Sequence, residues 1–282
     1  MFTDISLFDV KNVKKIKLRC ISWENLFNDK SILYGALCDL LLNEENLLYY
    51  ASQKESSKTL VETRRFVRKL LKNGNLYRTV DDIFNGIGWN KEINISNTIF
   101  QGDIAEYLMS IFLDKITNVE TLISKISFKT SPRMAVYGND NVYYDFDSDT
   151  LYFGESKFYS NVEDALKQAE ISIKKHSTIE EISFVRNHTS SFIAENGEKR
   201  LKVVEKLEEN YIENIEVKSI MFIVNDDVCK REDYETILLK RYVEIEKIKE
   251  ISSEIIFVFL PILSKSEFLS YFVGRLTDAK KS

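Results

Sequence analysis

Apolar and polar residues follow patterns in the first third of the chain that predict one strand and two helices. In the segment 14–22 alternate residues are apolar, which is typical of a strand. The apolar content of the segment 30–42 is typical of a buried helix. A capping box at 59–62, with Gly74 as a stop signal, predicts a further helix over 60–73.

From about residue 97 onward, helices and strands alternate in an order typical of an α/β domain. We predict helices over 98–115, 161–177, 178–210, 231–251 and 264–279. We predict strands over 121–130, 140–146, 150–158, 216–224 and 254–261. The chain is therefore divided into a mostly helical N-terminal region, residues 1–95, and an α/β domain around a mixed sheet, residues 96–282.

A glutamate and a lysine interrupt the apolar pattern of the strand predicted over 150–158. Side chains alternate between the two faces of a strand, so Leu151, Phe153, Glu155 and Lys157 share one face. Charged residues on an apolar face are costly to bury unless they pair with each other or bind a ligand. Glu155 and Lys157 are therefore candidate site residues, and the alternative is a solvent-exposed pair on an edge strand.

The preceding strand is expected to bring a second acid to the same place. The sequence Asp-Ser-Asp at 147–149 is typical of a turn, so we predict a hairpin that pairs Phe146 with Leu151. This register matches apolar residues on one face and places Asp140 opposite Lys157. A shift by one residue would separate Asp140 from the other two side chains.

The three side chains together match the chemical needs of phosphodiester hydrolysis. Asp140 and Glu155 offer oxygen ligands for Mg²⁺ or Mn²⁺, and the metal polarises the phosphate and activates a water. Lys157 positions or deprotonates that water and stabilises the developing charge, and burial is expected to shift its pKa toward ambient pH. Two alternatives stay open: Asp140 as an ordinary turn residue, and Asp145 as the first acid.

The neighbouring helices carry two further candidates. Glu106 shares one face of the helix over 98–115 with Asp103 and Ser110, and we assign it as an additional metal contact. Gln168 lies on the helix after the Glu-Ser-Lys strand, where we expect it to orient substrate or water. For both residues the alternative is an ordinary helix-surface side chain.

The helix predicted over 60–73 has a basic face that is a candidate contact for phosphate or for a partner. The candidates on this face are Arg64, Arg65, Arg68 and Lys69. The alternative is the solvated face of an amphipathic helix. The net charge of −5 is awkward for a protein that holds nucleic acid alone, so either the basic residues are concentrated or a partner does most of the binding.

Other features of the sequence predict a cytoplasmic protein that does not span a membrane. There is no apolar run of about 18 residues and no basic segment followed by an apolar one at the N-terminus. Cys20, Cys38 and Cys229 are far apart, so we expect small core residues in a reducing compartment rather than disulfides or a zinc site.

At these residues the sequence resembles the PD-(D/E)xK nuclease superfamily. That superfamily places an acid on a helix, then an aspartate, then Asp/Glu-x-Lys on the next strand, followed by a helix. The matching positions here are Glu106, Asp140 and Glu155-Ser156-Lys157. No proline precedes Asp140, a departure that keeps Asp145 as a competitor for the first acid.

The segment from Gln101 to about Ile173 more narrowly resembles the HamA family, the nuclease subunits of Hachiman anti-phage defence systems. Three short motifs carry this resemblance, and they are Gln101-Gly102-Asp103, Gly138-Asn139-Asp140 and Gly154-Glu155-Ser156-Lys157-Phe158-Tyr159. The bare superfamily motif arises often by chance, whereas the longer Gly-Glu-Ser-Lys-Phe-Tyr context is more specific.

The resemblance implies a restriction-endonuclease-like fold, a mixed central sheet flanked by helices, and Mg²⁺-dependent DNA endonuclease activity. It also implies a partner, the superfamily 2 helicase-like ATPase HamB, which holds the nuclease in check and releases it on sensing phage-associated DNA damage. Such a partner would supply the DNA-binding surface that the acidic net charge does not favour. Two alternative functions are a catalytically inactive scaffold that regulates a helicase and an RNA-directed nuclease with the same site.

Overall fold

The computed structural model describes residues 6–13, 16–22, 29–43, 98–116, 119–124, 139–176, 182, 185, 202–203, 205–207, 215–226, 231–246 and 254–281. The helix predicted over 60–73 lies outside these residues, and so does most of the segment predicted over 178–210. The basic face formed by Arg64, Arg65, Arg68 and Lys69 therefore stays a prediction.

Seven strands form one mixed sheet in the described part of the chain. They are β1 (Ser6–Val13), β2 (Ile16–Ser22), β3 (Glu120–Ser124), β4 (Asn141–Asp145), β5 (Thr150–Tyr159), β6 (Glu216–Asn225) and β7 (Glu254–Pro261). Their order across the sheet is β1-β2-β7-β6-β5-β4-β3. The four central strands are parallel, and antiparallel strands complete the sheet on both sides. The predicted α/β class and mixed sheet are thus confirmed.

The described helices begin and end close to the predicted positions. They are α1 (Lys30–Leu41), α2 (Thr98–Ile116), α3 (Val162–His176), α4 (Arg231–Glu246) and α5 (Lys265–Lys281). Helix α3 starts where the Asn161 side chain accepts a hydrogen bond from the Asp164 amide at 3.1 Å. Such a cap satisfies an amide that has no partner within the helix, and it lies one residue later than the capping box predicts.

The two faces of the sheet are covered by different helices. Strand β6 is apolar on both sides, as expected for a parallel strand in the middle of a sheet. Ile220, Phe222 and Val224 pack into the core that includes α1, α2 and α5. Met221 and Ile223 pack into the core that includes α3 and α4. Helices α2 and α3, which carry the candidate residues, therefore lie on opposite faces.

A bidentate ion pair joins α3 to α4 on their shared face. Arg241 donates from Nε and Nη2 to the two carboxylate oxygens of Glu170, at 2.6 and 2.8 Å. The carboxylate is buried, so this planar pairing satisfies a charge that would otherwise be costly there. The pair therefore links α3 to its neighbour α4.

The first strands and helix of the chain belong to the same sheet and core as its last elements. Strand β2 pairs in parallel with β7, and α1 packs on α5. Lys30 contacts Glu267 at 2.9 Å, and Arg275 contacts Asp39 at 2.7 Å. These early elements are therefore not separate from the domain that we predict over 96–282, while a division at residue 95 itself stays a prediction.

Strand β1 is the one element of the described sheet that the sequence pattern does not predict. Its pairing with β2 shifts register between Asp9 and Lys11, which is a bulge or similar irregularity. A bulge inserts an extra residue and breaks the period of two. The apolar residues of β1 therefore do not alternate regularly along the sequence.

None of the described helices has both the length and the apolar character that crossing a bilayer requires. Cys38 is a free, buried thiol, which agrees with its expected place in the core.

Candidate active site

The β4–β5 hairpin turns one residue earlier than predicted. The side chain of Asp145 accepts hydrogen bonds from the amides of Asp147 and Ser148, at 2.9 and 3.3 Å. This is the local turn chemistry typical of aspartate, and it makes Asp145 the last strand residue, paired with Thr150. Asp149 closes the four-residue turn in a left-handed conformation, with φ of 56°.

The early turn shifts the register of the hairpin by two residues. The last pair of the ladder is Asn141 with Gly154, so Asp140 continues level with Glu155. The predicted pairing of Asp140 with Lys157 is therefore wrong. Because the shift is even, every side chain of β4 keeps its predicted face of the sheet.

Close packing at Gly154 holds the two strands of the hairpin together. A Cβ atom at this position would meet the buried ring of Tyr143 at 2.9 Å and the carbonyl oxygen of Asn141 at 3.3 Å. It would also meet the Met109 side chain of α2 at 3.3 Å. Glycine therefore allows β4, β5 and α2 to approach one another directly beside the candidate residues.

We expect Gly154→Ala to lower the free energy of unfolding by about 1–3 kcal/mol, because overpacking a filled core displaces its neighbours. The matched control is Gly274→Ala on α5, where an added Cβ meets nothing within 4 Å. That change should stabilise the protein by up to about 1 kcal/mol, the difference in helix propensity. Urea unfolding of both variants checks the prediction, and equal midpoints would contradict it.

The carboxylate of Asp140 is held against the edge of β5. Its Oδ2 accepts hydrogen bonds from both the amide and the hydroxyl of Ser156, each at 2.7 Å. Asp140 is 7% exposed and lies one residue before β4 begins. Its side chain is thus buried against β5, which disagrees with the alternative that Asp140 is an ordinary turn residue.

Glu155 and Lys157 form an ion pair within the sheet. The Lys157 ammonium contacts Glu155 Oε1 and donates to the Ser156 carbonyl oxygen at 3.1 Å. Glu155 is 3% exposed, and β5 lies between β4 and β6, so the alternative of an exposed pair on an edge strand is wrong.

The electrostatics of this pair differ from the expected ones. Burial acts to lower the pKa of Lys157, but the nearby charges of Glu155 and Asp140, with the hydrogen bond to Glu155, raise it above its ordinary value. The expected shift toward ambient pH is therefore not found. The two carboxylates instead keep the ammonium charged beside them.

Helix α3 contributes a residue to this site that the sequence analysis missed. Ser172 donates a hydrogen bond from its hydroxyl to Glu155 Oε1 at 2.6 Å. The signal in the sequence was its spacing, because Ser172 lies four residues after Gln168 and shares its helix face.

Gln168 is exposed, and its position follows from that contact. It lies one helical turn before Ser172, which is about 6 Å along α3. Lys157 lies a similar distance beyond Glu155 along β5, about 6–7 Å. Since α3 runs back along β5, these spacings predict that Gln168 lies near the level of Lys157.

The polar face of α2 packs against the start of β4 on the other face of the sheet. Asp103, Glu106 and Ser110 are all buried, so Glu106 is not an ordinary surface acid. The side-chain amide of Asn141 donates to the Ser110 hydroxyl at 3.1 Å, and that hydroxyl donates to the backbone carbonyl oxygen of Glu106 at 3.3 Å. The face of α2 that carries Glu106 is thereby tied to the residue after Asp140.

The donor set around Asp140 fits a hard divalent cation. Two neighbouring carboxylates are the ligand type that Mg²⁺ and Mn²⁺ prefer, and Mg²⁺ usually takes one or two carboxylates and keeps several waters. Within the described residues, no group of three or more His, Cys, Asp or Glu side chains is arranged to hold a metal ion. The geometry thus does not bring Glu106 into such a group with Asp140 and Glu155.

Asp145 is far from this donor set. It faces the opposite side of β4 from Val142 and Tyr144, and it pairs with Thr150 at the other end of the hairpin. Its carboxylate accepts hydrogen bonds from the backbone of the turn. Of the two candidate first acids, the fold places Asp140 beside Glu155.

Comparison with known proteins gives one match that covers nearly the whole chain. The model of the HamA family matches residues 2–276. No curated protein matches the chain.

Proposed function

Because the chain belongs to the HamA family and is thus a component of the Hachiman defence system, we propose that it is the metal-dependent DNA endonuclease subunit of that system. The observation that carries the proposal is the buried Glu155–Lys157 pair on a central strand, with the Asp140 carboxylate bound to the residue between them. The three groups that phosphodiester hydrolysis needs therefore belong to one short stretch of the sheet.

The order of elements around the site supports a restriction-endonuclease-like fold. Helix α2 carries the buried Glu106, β4 follows Asp140, and β5 carries Glu155 and Lys157. Helix α3 and the parallel strand β6 come next. This is the order that the PD-(D/E)xK resemblance implies, including the helix that follows the Glu-Ser-Lys strand.

Each residue has a definite role in the proposed chemistry. Asp140 and Glu155 would hold Mg²⁺ or Mn²⁺, which when bound polarises the scissile phosphate and lowers the pKa of a coordinated water. Lys157 orients the attacking water and stabilises the negative charge that develops on the phosphoryl oxygens. Gln168, on the exposed face of α3, would orient substrate.

The proposal includes control by a helicase partner. A superfamily 2 helicase-like ATPase, HamB, would hold the DNA and present it to the site. The net charge of −5 supports this division of labour, because neutralising phosphates requires clustered basic residues.

Plasmid cleavage tests the proposed function directly. The purified chain is incubated with plasmid in Mg²⁺, Mn²⁺ or EDTA, with and without the product of the neighbouring gene. We expect nicking or linearisation only with a divalent cation, loss in EDTA, and recovery when excess Mg²⁺ is added. Parallel single-stranded DNA and RNA substrates define the nucleic acid that is cut.

Two results would overturn the proposal. Cleavage that continues in EDTA would exclude a metal-dependent site. Tight binding to the helicase without cleavage in any condition would favour the inactive scaffold instead.

A further inference from the structure

Ser172 uses its hydroxyl differently from Ser110, Ser270 and Thr277, which also lie within described helices. Such residues often donate back to the carbonyl four residues earlier. Ser270 and Thr277 on α5 do so, at 2.9 and 2.8 Å. Ser172 instead donates across to the sheet, to Glu155 Oε1 at 2.6 Å.

Two donors from different elements therefore meet on one oxygen of Glu155. The Lys157 ammonium reaches Oε1 from the same strand, and the Ser172 hydroxyl reaches it from α3. Hydrogen bonds to an ionised carboxylate are short and strong. Because both bind Oε1, together they set the rotation of the carboxylate and hence the direction of Oε2.

The second acid is oriented in a parallel way. Asp140 is held through Oδ2 by the amide and hydroxyl of Ser156. Each carboxylate thus has one serine hydroxyl as a donor. The Asp140 donor lies within the Glu-Ser-Lys motif, whereas the Glu155 donor comes from a helix on one face of the sheet.

We propose that Ser172 is a positioning residue that turns the Glu155 carboxylate toward a divalent cation shared with Asp140. The inference rests on the proposed function and names a part of its machinery that the Glu-Ser-Lys motif does not contain. Residues that hydrogen-bond metal ligands typically contribute about 10–100-fold to metal affinity or activity. The loss of Ser172 should fall in that range.

The experiment compares Ser172→Ala and Ser172→Thr with wild type and with Ser270→Ala, a matched helical serine. Mn²⁺ binding is measured by calorimetry, and plasmid cleavage is measured across a Mn²⁺ series. We expect Ser172→Ala to weaken Mn²⁺ binding at least about 10-fold and to raise the Mn²⁺ concentration that gives half-maximal cleavage. Threonine restores the hydroxyl and should recover most of the affinity, and Ser270→Ala should behave as wild type.

Unfolding midpoints show whether a variant is folded, and Ser172→Cys, close in size but a weak donor, serves if the alanine variant is not. Wild-type affinity and cleavage in Ser172→Ala or Ser172→Cys would overturn the inference while leaving the nuclease proposal intact. Absence of Mn²⁺ binding by wild type would also overturn it. A wild type that binds Mn²⁺ through Glu155 and Ser172 but never cuts nucleic acid would instead overturn the nuclease proposal alone.

Discussion

Glu155→Gln and Lys157→Met should each reduce DNA cleavage by at least about 1000-fold. The metal and the lysine each supply several kcal/mol of transition-state stabilisation, and about 1.4 kcal/mol corresponds to a factor of ten in rate. Glutamine keeps an oxygen that can accept from Ser172 and Lys157, so Glu155→Gln should remain folded. Initial rates on supercoiled plasmid in Mg²⁺ check the prediction.

The chain provides its own matched control in a second Glu-x-Lys sequence, Glu216-Val217-Lys218 on β6. Its lysine and glutamate also form an ion pair, at 3.1 Å, but this Glu216 side chain is 47% exposed. This second pair lies at the start of β6. Glu155 aligns with Met221 of β6, so the two Glu-Lys pairs are about 16 Å apart along the strands. Glu216→Gln and Lys218→Met should therefore cleave at wild-type rates.

The comparison separates chemistry from folding. Circular dichroism and helicase binding should match wild type for Glu155→Gln and for both control variants. Lys157→Met leaves a buried carboxylate without its cation and should be less stable, and adding Glu155→Gln should recover part of that loss. Substantial metal-dependent cleavage by folded Glu155→Gln would contradict the assigned site.

Asp140→Asn should also reduce cleavage by about 1000-fold or more, whereas Asp145→Asn should retain most of it. Asparagine at 140 keeps the shape and an oxygen for the Ser156 donors, but it removes the charge that attracts the cation. Asparagine at 145 keeps the acceptor that caps the turn, and asparagine is a favourable turn residue. Cleavage rates of the two variants at equal metal concentration check this difference.

Asp140 and Asp145 lie at the two ends of β4, so the two variants control for general effects of an amide on this strand. Free energies of unfolding within about 1 kcal/mol of wild type would show that the turn and the strand edge tolerate the amides. A reversed result, with Asp145→Asn inactive and Asp140→Asn active, would assign the first acid to Asp145.

Local pattern was sufficient to predict most of the described helices and strands. The alternation that defines β5 depends only on neighbouring residues, and it placed Glu155 and Lys157 on one face. The hairpin register was wrong by two residues, yet Asp140 stayed with that face because side chains repeat every two residues. The face of the sheet on which a side chain lies is therefore predicted more reliably than the residue that lies opposite it.

Contacts between elements distant in sequence were decided only by the tertiary structure. Strand β2 pairs with β7, which lies near the other end of the chain. Ser172 contacts Glu155 because α3 packs back over β5. The hydrophobic periodicity of each segment does not predict how the two segments pack on each other. The sequence by itself thus determined which residues share a face, since that depends on backbone geometry. Which of them touch was determined by packing, since that depends on how the whole sheet and its helices bury their apolar surface.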